Sequence, residues 1–275
     1  MNYWGTDFQV NYNPSYIDPR NTRGGPAMLT KRTYSGFLNA YTDQRRDISF
    51  DLGFGGGRSE SGGHRVEVSP GIEWKPSSGV FVRISPSFVR DITIAQWVTS
   101  IDDPLATKTF GGRYIFAKLN QEELSAIFRL NWTFSPKVSL QVFIQPLISV
   151  GRYNEFKELK EPLTYSFNRY GEDGSIISQK QYADGGRYYE VDADGPGPAA
   201  PFTFDSPDFN YKSFRGNAIL RWEYMPGSTL FFAWTHGRVD ERNPGDLQFG
   251  RDFSDLFRTE PSNVFLVKVS YWLNP

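Results

Sequence analysis

The feature that most constrains this chain is a strict two-residue alternation, repeated in long stretches from one end to the other. From Phe214 to Tyr224, Phe214, Gly216, Ala218, Leu220, Trp222 and Tyr224 fall on one face, and Arg215, Asn217, Ile219, Arg221 and Glu223 on the other. Leu124, Ala126, Phe128, Leu130, Trp132 and Phe134 oppose Ser125, Ile127, Arg129, Asn131 and Thr133 in the same way. Val66, Val68, Pro70, Ile72 and Trp74 oppose Arg65, Glu67, Ser69, Gly71 and Glu73. Successive side chains of a β-strand point to opposite faces, so this period specifies strands with one apolar and one polar side. The stretches run about 9–12 residues, close to the ~9–11 that a tilted strand needs to cross a bilayer and longer than the ~5–6 of ordinary strands.

Composition points the same way. Aromatics are 16% of the chain, yet the mean hydropathy is −0.50 and 22% of residues are charged. Abundant apolar residues must therefore be interleaved with polar ones, as in a membrane barrel whose strands alternate between lipid and lumen. No run approaches 18 consecutive apolar residues, which excludes a transmembrane helix. A net charge of −1 gives no reason to expect nucleic acid as a partner. With no cysteine, disulfide and thiol chemistry are excluded.

The turns are asymmetric. Short connections fall at Asp43–Arg46, Lys75–Ser78, Ser135–Pro136 and Met225–Gly227, with a slightly longer one near 102–107. Between them lie connections of varied length, near 14–31, 56–63, 91–92, 120–123, 150–212 and 239–262. Short periplasmic turns alternating with long extracellular loops are the scheme of outer-membrane barrels. The expected fold is thus all-β, a single domain over 1–275: an antiparallel up-and-down transmembrane β-barrel. About twelve strands are expected, near 5–13, 33–42, 47–55, 64–74, 79–90, 93–101, 108–119, 124–134, 137–148, 213–224, 228–238 and 263–273. An even count brings both ends to the periplasmic side, either as a whole barrel or as most of a larger one.

Candidate binding residues lie on the polar face: Arg65, Glu67, Glu73, Arg83, Arg129, Arg221 and Glu223. They either line a permeation path or pair with one another and fill a closed lumen. His64 and His236 are the sole histidines, each near an external strand end. A rim hydrolase of lipase or protease type would have to use one of them; the same position suits a polar residue at a loop base. Neither a catalytic site nor a metal or other cofactor is expected. Gly53–Arg58 is glycine-rich but no helix follows, so it reads as a hairpin loop and not as a phosphate cradle. In the loop 150–212, Asp192-Ala193-Asp194-Gly195 lacks a complete calcium spacing and reads as turn chemistry.

Several stretches together resemble a known bacterial family: Leu130–Pro136, Gln145–Ser149, Pro207–Asn210, Arg215–Tyr224 and the closing Asn263–Leu273. They are similar to its C-terminal outer-membrane barrel region, a domain of unknown function whose longer members carry an N-terminal module like family-9 carbohydrate-binding modules. The resemblance implies a non-enzymatic pore, surface receptor or anchor in the bacterial outer membrane, with glycan or small-solute binding as its associated role. Its implied partners are outer-membrane lipid and the barrel assembly machinery, which would read the alternating, aromatic-closed strand Asn263–Leu273. The chain lacks a basic or apolar leader at Met1–Gly5, so for an exported protein it reads as the C-terminal piece of a longer polypeptide. A soluble β-sandwich adhesin or lectin is the competing fold, and it requires the aromatic faces to be buried between two sheets.

Overall fold

The computed structural model describes residues 3–273. Met1, Asn2, Asn274 and Pro275, on which the readings of the chain's two ends partly rest, lie outside the described residues. The protein is all-β and mostly antiparallel. Its wall is formed by β1 (Gly5–Asn13), β4 (Thr33–Tyr41), β5 (Ile48–Ser59), β6 (His64–Ser77), β7 (Val80–Asp102), β8 (Gly112–Ser135), β9 (Val138–Leu159), β14 (Phe209–Met225), β15 (Ser228–Asp240) and β16 (Ser262–Ser270). The remaining strands belong to the long connections: β2 (Tyr16–Asp18), β3 (Met28–Thr30), β10 (Phe167–Arg169), β11 (Ile176–Gln181), β12 (Arg187–Asp192) and β13 (Phe202–Asp205). One helix, α1 (Phe249–Arg258), sits between β15 and β16.

The wall strands pair in chain order, β1-β4-β5-β6-β7-β8-β9-β14-β15-β16, each antiparallel to the next. β1 and β16 are the two edges of this path, and the described residues do not close it into a barrel.

The wall has ten long strands where twelve were expected. The stretches 79–90 and 93–101 are one strand, β7, and 108–119 and 124–134 are one strand, β8. Asn120–Glu123 is polar, but neither it nor Asp91-Ile92 contains Gly or Pro, so nothing in their backbone forces a turn. The register continues straight through them, with Asp91 opposite Gln121 and Ile92 opposite Asn120. The parity is unchanged, because two pairs of strands have merged. One connection does change sides: the turn placed near 102–107 joins β7 to β8 at the long-loop end. Gly53–Gly57 likewise lie within β5 and form no hairpin loop. A Cβ on Gly53 would lie 2.9 Å from the ring of Phe37 and 2.4 Å from Ser69 Oγ, so glycine is needed where neighbouring side chains lie flat against the strand.

β7, β8 and β9 have 23, 24 and 22 residues, about twice the length of one bilayer crossing. Their outer halves carry a cap in which the loop 150–212 narrows to 160–208, since β9 and β14 extend into it. The three-stranded sheet β11-β12-β13 packs there, and Ile115, Ala117, Phe156, Tyr170, Val191 and Phe204 form a buried cluster against the wall. The hydrophobic core therefore sits at the loop end, while the lower wall exposes its apolar residues.

Candidate functional site

The register assigns every wall side chain to one of two faces. On the outer face, apolar residues occupy alternate positions over 66–74, 80–88, 124–132 and 214–222. Many of them are exposed, among them Val66 at 40%, Ile84 at 43% and Trp222 at 47%, and the same face of β5 and β16 exposes Phe54 at 52% and Val267 at 62%. Trp74, Trp132 and Trp222 ring the turn end of this band, with Trp132 stacked on Phe134 at 4.2 Å. At the loop end the band stops at Arg58, His64, Arg90, Glu122, His236 and Arg238, and Arg90 pairs with Glu122 at 3.8 Å. A soluble sandwich would bury this aromatic face between sheets; here it faces outward.

The inner face carries the seven charged candidates. Arg65 bonds Glu67 at 3.0 Å and Asp91 at 3.4 Å. Arg83 reaches Asp51 at 2.9 Å and Glu73 at 3.5 Å, and Glu73 also takes Lys75 at 2.5 Å. Arg221 and Glu223 pair at 3.1 Å, while Glu223 also accepts the Gly227 amide at 3.3 Å and so anchors the β14–β15 turn. Arg83 and Arg129 are direct cross-strand partners. Like charges placed opposite repel; Arg83 turns to its carboxylates, and Arg129 lies 5.5 Å over the ring of Phe143. Six of the candidates thus form three separate ion-pair clusters on one face, and Arg129 lies over an aromatic ring beside the second of them. Sequence reasoning missed Asp51 and Asp91, the carboxylates that link Arg83 and Arg65 across strands.

At the loop end of this face lies a cleft of about 420 Å³, lined among others by Thr33, Ser35, Arg65, Asp91, Thr93 and Tyr165. Gly57 and Gly63 also border it, and the roof comes from Met28 and Thr30 of β3 and from Tyr165. Its position needed the fold, because Tyr165 is distant in sequence from every other lining residue. His64 borders this cleft at the strand end, but its register with Arg58 and Ile92 puts it, like His236, on the outer face. His236 Nδ1 lies 2.8 Å from Asn263 Oδ1, and its Nε2 accepts a hydrogen bond from Arg238 Nε at 3.1 Å. Neither partner is a nucleophile or a carboxylate, so the ring is held as a strand-end contact. Asp192 and Asp194 accept the backbone amides of Gly195 (2.9 Å) and Ala199 (3.0 Å), as turn-forming residues do.

The connection 241–261 is fixed by buried charges. Lys212, fully buried, lies 2.9 Å from Asp240 and 3.9 Å from Asp252, and donates to Arg242 O at 2.7 Å. Asp252 also accepts from Asn210 (3.1 Å) and Arg251 (2.8 Å). Arg251 further binds Asp246 at 2.8 Å, and its hydrogen bond holds that carboxyl below the usual carboxylate range. At Asp103, burial opposes ionisation, but hydrogen bonds from the Leu105 amide and from Arg113 outweigh it and the carboxyl again sits low. A carboxyl whose folded pKa is depressed contributes stability that is complete above the unfolded value of ~3.9 and is lost as pH falls through the folded value. Pepsin cleavage of the loops 103–111 and 241–261 is therefore expected to stay slow from pH 5 to about 4 and to accelerate below it. No acceleration below about pH 4, relative to an unfolded substrate that corrects for pepsin's own pH profile, would contradict this.

Fold and face chemistry together define an all-β protein built on one long-stranded antiparallel sheet, with a paired-charge inner face and an exposed apolar outer face. The family model for DUF5916, a domain of unknown function, matches residues 1–274, and the chain belongs to that family. No curated protein matches it. Among solved structures, the copper transporter OprC is similar with a TM-score of 0.45 and 11% identity, over 98% of this chain. The chain spans 37% of that transporter's length.

Proposed function

We propose that this chain builds the wall of a bacterial outer-membrane β-barrel, working without catalysis as a pore or surface receptor for small polar solutes or glycans. The observation that carries the proposal is the inverted wall: exposed aliphatic and aromatic side chains on one face, ion-paired charges on the other. Lipid makes the exposed band favourable, and its height of about 9 residues per strand matches one tilted crossing. The inner face then becomes the lumen, with the Arg65–Tyr165 cleft at its external mouth as the solute-binding candidate. An unpaired sheet edge in hydrocarbon would leave N–H and C=O groups without partners at several kcal/mol each. Closure therefore joins β1 to β16 directly or through further strands, and β16 is the strand offered to the assembly machinery.

The protein is expected to require detergent for solubility and, once folded, to migrate faster on a gel before boiling than after. A monodisperse protein in plain buffer would overturn the proposal. Hydrolysis of an ester or peptide that is abolished by replacing His64 would overturn the non-catalytic part alone.

A further inference from the structure

The helix α1 is built inside out for a helix in water. It buries Asp252 (0% exposed), Asp255 and Leu256, while Phe249, Phe253 and Phe257 are exposed at 58%, 44% and 39%. A surface helix normally turns its apolar stripe inward and its carboxylates outward. Here the carboxylates have partners beneath the helix: Asp252 takes Lys212 and Asn210 of the wall, and Asp255 takes Arg242 and Asn243 of the connection that follows β15. The three Phe residues are spaced i, i+4, i+8 and form one continuous row, with ring centroids 5.8 Å and 4.7 Å apart.

The row's location names its occupant. Asn210, Lys212 and Phe214 alternate along β14, and Arg238 and Asp240 are their cross-strand partners on β15. All share the face that carries Leu220 and Trp222, so α1 lies on the outer side of the wall at the loop end of the apolar band. Phe257 meets Phe214, a member of that band, at 5.3 Å. Arg238 fixes the junction by donating to Phe257 O at 2.6 Å and Thr259 O at 2.7 Å. The Phe row thus continues the outer apolar surface without a break, at the height where headgroups meet acyl chains.

We propose that α1 is an interfacial helix whose Phe249, Phe253 and Phe257 insert into the outer leaflet of the membrane that the wall spans. Helices of this kind lie in the interface plane with the apolar face sunk about 5–10 Å into the headgroup and acyl boundary. The proposal rests on the reading of the wall as membrane-spanning, and the test separates the two. The chain has no cysteine, so Phe253→Cys and, on the mid-wall outer face, Leu220→Cys each accept a single spin label. The folded protein is placed in vesicles of phosphatidylethanolamine and phosphatidylglycerol, and relaxation by oxygen is compared with relaxation by a water-soluble nickel chelate. Both labels are expected to respond severalfold more to oxygen, with label 253 the shallower. Oxygen preference at 220 with nickel preference at 253 would overturn the helix proposal and leave the wall reading standing. A label at 253 shielded from both reagents would overturn it in favour of a protein cover, such as a second copy. Nickel preference at both sites would overturn the wall reading and this proposal together. Retained heat-modifiable migration in each variant verifies its fold.

Discussion

Lys212→Met is expected to cost about 3 kcal/mol, near the lower end of the range for breaking a buried ion pair. The side chain is fully buried, and its ammonium is shared between Asp240 and Asp252, both buried themselves. Without it, two carboxylates remain out of water with part of their partners gone. The loss is kept from the upper end because Arg242 still reaches Asp240 at 2.5 Å and Arg251 still reaches Asp252 at 2.8 Å. The damage should be local, since this cluster joins α1 and the 241–261 connection to β14 and β15. Trypsin is expected to cut at Arg251 and Arg258 at least tenfold faster, and the urea midpoint of the detergent-folded protein to fall. Asp240→Asn added to Lys212→Met should recover part of the loss, because it removes one of the stranded charges. A single variant with unchanged cleavage and midpoint would mean that the cluster does not hold the connection in place.

How much of this was legible in the sequence depends on the range of the interaction that decides each feature. The two faces of the wall were legible, because alternation is set by the strand backbone itself. Arg65 opposite Val66, or Arg221 beside Leu220, needs no tertiary information. The turn ends were legible at Ser135-Pro136 and Met225–Gly227 for the same local reason. Strand continuity through Asn120–Glu123 was not. A polar run there looks like a loop, and only the extended partners β7 and β9, which rise beyond the apolar band with it, keep it in the sheet. Phe249, Phe253 and Phe257 carry a helical spacing that can be read afterwards, yet Asp252 and Asp255 look like its solvated face until Lys212 and Arg242 are seen against them. The core of the cap depends on Ile115, Phe156, Val191 and Phe204, whose meeting is a matter of long-range topology. Asp51 and Asp91 were missed because each serves an arginine on another strand, Arg65 on the next one and Arg83 two strands away, and cross-strand register is not written in any strand alone.

The sharpest test of the inverted wall uses two neighbouring residues of β6. Val68 lies on the outer face between its cross-strand partners Phe54 and Phe88. Ser69 lies on the inner face opposite Gly53 and two residues from Glu67. An arginine on the lipid face near the midplane costs about 2–4 kcal/mol, and lumen positions tolerate charge. Val68→Arg should therefore fold in lipid with a free energy lower by about that amount, or fail to become heat-modifiable. Ser69→Arg should remain within about 1 kcal/mol of the parent, because Glu67 and the nearby Asp51–Arg83 pair already make that surface charged. The measurement is urea unfolding in phospholipid vesicles, followed by the gel shift. A soluble sandwich with its aromatic face packed inward would also reject arginine at 68, so the decisive comparison is between media. In lipid the penalty at 68 should exceed that at 69, whereas in a lipid-free, detergent-free solution the parent itself should not stay folded. Equal penalties at 68 and 69 in vesicles would place both residues in the same environment and remove the physical basis for a lipid-facing side of this sheet.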